Sequence, residues 1–74
     1  MQTKEDGMSV AKVSEISATS SKSFEDAMQQ GIARASKTLR NVRAAWIKEQ
    51  HVRGDSGRIV EYQDNMMVTF VLDD

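Results

Sequence analysis

The final stretch of the chain carries a strong alternating pattern. From Arg58 to Leu72 one parity reads Val60, Tyr62, Asp64, Met66, Val68, Phe70 and Leu72, while the other is mixed, with Ile59, Glu61, Gln63, Asn65, Met67, Thr69 and Val71. A period of two marks a strand with one face on a core, so the first parity is expected to face a helix and the second to lie open. That helix is written upstream. Phe24, Met28, Ile32, Leu39 and Val42 recur at spacings of three, four or seven, with Ala27, Gly31 and Ala35 beside them, which is the stripe of an amphipathic helix. Ser23 with Asp26 fits a capping box and sets the start. Glu25 and Asp26 come early and Arg34, Lys37 and Arg40 late, the charge order that suits the helix dipole.

Two further strands complete the pattern. Val10, Val13 and Ile16 give Ser9 to Ser17 a β-leaning composition, followed by a small, polar link from Ala18 to Ser23. Trp46, Ile47 and Val52 lie in Ala45 to Arg53, and Gly54-Asp55-Ser56-Gly57 is a concentrated turn signal that predicts a hairpin into the last strand. The expected fold is therefore α+β: a single βαββ domain with a three-stranded antiparallel sheet wrapped around one helix. A last strand of roughly 15 residues would extend about 50 Å. A compact chain of this length has a radius of gyration of about 11 Å and a diameter on the order of 30 Å. Such a strand must curl or project into neighbours, and the sheet face away from the helix must meet solvent, a ligand or another subunit.

Composition supports assembly. The chain has 74 residues, no cysteine and no proline. Domains this small usually need disulfides, a metal or oligomerisation. With no cysteine and a single histidine, His51, oligomerisation is what remains. A net charge of -1 provides no broad basic field for nucleic acid. Residues 1–7 are polar and are expected to form a disordered tail before a domain at 8–74. Neither a secretory signal nor a membrane-length apolar run is present, so the chain reads as cytoplasmic, with no membrane partner.

Several separate segments, in order, resemble the dodecin family. They are Glu15-Ile16-Ser17-Ala18-Thr19-Ser20, Ser23-Phe24-Glu25-Asp26-Ala27, Ala33-Arg34-Ala35-Ser36-Lys37-Thr38-Leu39 and Ala45-Trp46-Ile47-Lys48-Glu49-Gln50. Glu61-Tyr62-Gln63 and Val68-Thr69-Phe70-Val71-Leu72 continue the match, which covers nearly everything from Met8 onward. The resemblance implies a hollow homododecamer of βαββ subunits. It also implies non-enzymatic binding and sequestration of flavin, as riboflavin or flavin mononucleotide, between subunits: an aromatic ring stacks on the isoalloxazine and a glutamine bonds its edge. Carried onto this sequence, the glutamine is Gln63. The stacking position falls on Ala44, and Trp46 lies two residues on, at the same strand parity and about 7 Å away. Trp46, Gln63 and Ala44 are thus the candidate flavin positions. The alternative is a shell without flavin, a structural or interaction protein in which acids such as Asp55, Glu61, Asp64, Asp73 and Asp74 hold cations. Arg34, Lys37, Arg40 and Lys48 are candidates for a phosphate of a flavin nucleotide or coenzyme A. No nucleophile–base pair, Gly-rich phosphate loop or metal spacing is recognisable, so no catalytic residue is assigned, to His51 or to any other.

Overall fold

The computed structural model describes residues 10–72. Its elements run β1 (Ala11–Ser20), α1 (Phe24–Thr38), β2 (Val42–Asp55) and β3 (Arg58–Val71). The three strands form one sheet in the order β1-β3-β2, with β3 central and antiparallel to both neighbours. The expected tail at 1–7 and the acids Asp73 and Asp74 lie outside the described residues.

The helix begins where the cap predicts. Ser23 is extended, and its hydroxyl accepts from the Asp26 amide at 2.9 Å, satisfying one of the orphan donors of the first turn. Asp26 in turn accepts from the Ser20 hydroxyl and the Gln30 amide, each at 2.6 Å, which ties the end of β1 to the first turn. Two boundaries differ from the sequence reading. Strand β1 continues through Ala18 and Thr19 to Ser20, because β3 is long enough to pair with every one of them. The helix stops at Thr38, with Leu39 already extended as its C-cap, so Leu39 and Val42 do not continue a helical stripe. Asn41, at φ 59°, turns the chain into β2, a left-handed conformation that asparagine tolerates better than most residues.

The packing line of α1 is made of small residues: Ala27, Gly31 and Ala35 are buried, while Phe24, Met28 and Ile32 flank it half-buried. Gly31 is required by close approach. A Cβ at that position would lie 2.5 Å from Met66 Cε and 3.1 Å from Ala18 Cβ. On β3 the parity expected to face the helix does so, with Asp64, Met66 and Val68 fully buried. Phe24 meets Tyr62 edge-on, ring centroids 5.1 Å apart, closing the end of the core near the helix start.

The hairpin turn consists of Ser56 and Gly57, both at positive φ (54° and 81°), as a two-residue turn matched to strand twist requires. Strand β1 ends opposite Tyr62, so the hairpin beyond it has no third strand. The described chain is accordingly elongated, 57 × 20 × 14 Å with a radius of gyration of 15.4 Å, as the strand-length argument anticipated.

Candidate functional site

The helix covers one face of the sheet. Cross-strand partners share a face, so the register identifies what the open face presents. At one end Val13, Thr69 and Ala44 lie in a row, followed by Glu15, Met67 and Trp46. Farther toward the hairpin come Ser17, Asn65 and Glu49, then Thr19, Gln63 and His51. The open face thus has an apolar half centred on Trp46, which is 51% exposed, and a polar half centred on Gln63 and Asn65.

A bulge creates this arrangement. Ile47 pairs with Met66 and Glu49 with Asn65, leaving Lys48 as the extra residue. Beyond it the parity of β2 is reversed: Glu49 and His51 join Trp46 on the open face, and Gln50 turns inward toward Asp64. Lys48 reaches across β3 to Glu15, with Nζ 3.2 Å from Oε1.

The polar half is a connected series of hydrogen bonds. The Asn65 amide donates to Glu49 Oε2 at 2.8 Å, and the Gln63 amide donates to Asn65 Oδ1 at 3.0 Å and to Ser17 Oγ at 3.1 Å. His51 Nε2 lies 3.4 Å from Glu49 Oε2. The bond from Asn65 holds the Glu49 carboxyl below the usual carboxylate range, helped by the hydrogen bond and charge of His51 and by Lys48. Arg53 donates to Glu61 at 3.4 Å nearer the turn.

The candidate flavin positions and most of the candidate acids now have places. Ala44 and Trp46 share the open face, opposite Thr69 and Met67. Gln63 is on the same face, but four residues from Met67 along β3, about 14 Å away. One chain therefore does not bring Trp46 and Gln63 into contact. Asp64 is on the opposite face, buried under the helix, where it cannot meet a cation shared between copies. Asp55 sits at the turn, and Glu61 is engaged by Arg53. Glu49 and Asn65, which the sequence reading passed over, are the partners that organise the polar half. Their spacing carried no signal, because only the bulge puts Glu49 on this face.

A groove of about 450 Å³ runs between β1 and α1 beside Ile16, Ala18, Gln30, Gly31 and Arg34. It lies on the helix side, away from Trp46 and Gln63. Among the phosphate candidates, Arg34 lines this groove while Lys48 is held by Glu15 on the open face. No helix among the described residues is long and apolar enough to cross a membrane. Among the described residues no group of three or more His, Asp or Glu side chains is placed to hold a metal ion.

The family model and the solved structures agree with one another. The family model described as Dodecin matches residues 10–73. The dodecin from Streptomyces davaonensis is 33% identical over 89% of this chain and 97% of its own, with a TM-score of 0.85. A variant of the Thermus thermophilus dodecin is 34% identical, covering 90% and 100% of the two chains, with a TM-score of 0.85. Calcium dodecin from Mycobacterium tuberculosis, described as a calcium-chelating antigen with a novel calcium-binding site, is 35% identical over 88% and 93%, with a TM-score of 0.75. Among curated proteins none matches the sequence.

Proposed function

The chain belongs to the dodecin family, and on that premise we propose that it is a non-catalytic protein that binds and sequesters flavin, riboflavin or flavin mononucleotide, between subunits of a hollow homododecamer. The observation that carries the reading is the open face itself, where the half-exposed Trp46 ring and the Gln63 amide project from the same side of the sheet. An indole ring offers an isoalloxazine a flat apolar partner, and an amide answers its polar edge. Because the two lie about 14 Å apart in one chain, on this reading the two contacts on one flavin come from different subunits. Assembly is supported by the hairpin that lacks a third strand and by Val52 and Ile59, half-exposed on it. A buried apolar core of only Ala27, Ala35, Met66 and Val68 among the described residues also favours association.

The test is a fluorescence titration of riboflavin and of flavin mononucleotide with the assembled protein, alongside Trp46→Ala and Gln63→Ala variants whose assembly is checked by light scattering. Saturable quenching that Trp46→Ala abolishes supports the reading. Unchanged flavin emission at high protein concentration rejects it. A second reading, a cation-binding shell without flavin, draws on the calcium-chelating relative and on Glu15, Glu49 and Glu61 sharing the open face. Those carboxylates are engaged by Lys48, Asn65 and Arg53, so it predicts a calcium-dependent rise in melting temperature only if calcium displaces these partners.

A further inference from the structure

The polar half of the open face has a direction, set by Glu49. An ionised carboxylate only accepts, so the Asn65 side chain must turn its amide hydrogens to Glu49 and its carbonyl oxygen away. That carbonyl is 3.0 Å from Gln63 Nε2 and fixes the Gln63 amide in turn. Ser17 Oγ takes the second Gln63 hydrogen at 3.1 Å. With both hydrogens occupied, the group Gln63 has left to offer is its carbonyl oxygen, an acceptor.

We propose that Glu49, acting through Asn65, is a positioning residue that makes Gln63 a pure acceptor, so that the open face selects ligand edges carrying an N–H donor, such as the imide N3–H of a flavin. The selection half of this inference rests on the flavin reading; the orientation of Gln63 does not. The opposite orientation would present the Gln63 amide hydrogens to ring carbonyls and would be indifferent to whether the imide nitrogen carries hydrogen. The lowered Glu49 carboxyl agrees with a charge kept at this end of the series.

Two measurements on the assembled protein separate the halves. In ligand-free protein labelled with nitrogen-15 at side-chain amides, Glu49→Gln should shift the Asn65 and Gln63 amide resonances together while leaving Gln29, far off on α1, unmoved. A Gln63 resonance indifferent to Glu49→Gln overturns the positioning role whatever the ligand. In fluorescence titrations, lumiflavin should bind roughly tenfold or more tightly than 3-methyllumiflavin, and Glu49→Gln should shrink that ratio severalfold. A ratio that persists in Glu49→Gln reflects only the bulk of the methyl group and overturns the selection, as does equal binding of both flavins by the unsubstituted protein. Failure of both flavins to bind overturns the flavin reading and the selection with it, while the resonance shifts still decide the orientation of Gln63.

Discussion

Replacing Asp64 with valine should stabilise the protein. The Asp64 side chain is fully buried between β3 and the helix, in one layer with Met66 and Val68. Its Oδ1 accepts from Gln50 Nε2 at 3.0 Å, but Oδ2 has no hydrogen-bond partner among the described residues. A buried oxygen left without a partner costs about 1–3 kcal/mol. Losing the Gln50 bond costs about 1 kcal/mol, and Gln50 lies on an exposed part of β2 where its amide regains water. The extra apolar surface of valine contributes about 1 kcal/mol. The difference is a gain of about 1–3 kcal/mol, or roughly 4–24 °C in melting temperature for a domain of this size. Thermal and urea unfolding would be compared at one protomer concentration, since association raises apparent stability with concentration. Asp64→Asn serves as the control: it keeps the shape and still buries an unpartnered polar atom, so it should not reproduce the gain. If Asp64→Val proved less stable by 1 kcal/mol or more, the reasoning would be refuted and Oδ2 must have a partner, such as an internal water, that offsets its burial.

Three further outcomes are expected. Ser23→Ala removes the acceptor for the Asp26 amide and should cost about 1 kcal/mol in urea unfolding, with Ser23→Gly costing less. Gly57→Ala places a Cβ at φ 81° and should destabilise by about 1 kcal/mol, read as a lower urea midpoint at unchanged slope. Asp26 is held below the usual range by the Ser20 hydroxyl, with Gln30 and Lys22 adding to it, and Glu49 by Asn65 and His51. Lowered carboxyls bind fewer protons folded than unfolded, so their contribution is full above the unfolded values, about 3.9 and 4.3, and is lost as pH falls through the folded ones. Melting temperature should decline on acidification below about pH 4–5, and the decline should be shallower in Asp26→Asn and Glu49→Gln than in the unsubstituted protein.

Local signals in the sequence located much of this fold. The Ser23 cap, the Ser56-Gly57 turn and the inward parity of β3 each depend on residues close together in the chain, so they could be read without knowing the rest. The ends of β1 and α1 could not. Ala18 and Ser20 have little strand preference of their own and, with Thr19 between them, are extended because Asp64, Gln63 and Tyr62 on β3 are there to pair with them. The helix stripe was misjudged for a related reason: large apolar residues dominate a periodic pattern, whereas the closest packing here is at Ala27, Gly31 and Ala35, where Met66 comes within the space a Cβ would occupy.

The candidate site was legible only in part, and the bulge explains why. Ala44 and Trp46 could be placed on one face of β2, and Gln63 on the outward parity of β3, by counting in twos within each strand. Trp46 and Glu49 are three apart and by the same count belong on opposite faces. The extra residue Lys48 resets the count, which sends Glu49 outward to Asn65 and Gln50 inward to Asp64. One inserted residue therefore ties together two features that look unrelated in the sequence, the outward series from Glu49 to Gln63 and the bond from the exposed Gln50 to the buried Asp64. An unbulged β2 would exchange those roles. It would turn the glutamine to the open face and drive the Glu49 carboxylate toward the buried Asp64, an arrangement that like-charge repulsion opposes. The cost of that alternative register holds the bulge in place, and with it the pairing of an apolar half around Trp46 and a directional polar half around Gln63 on a single face of the sheet.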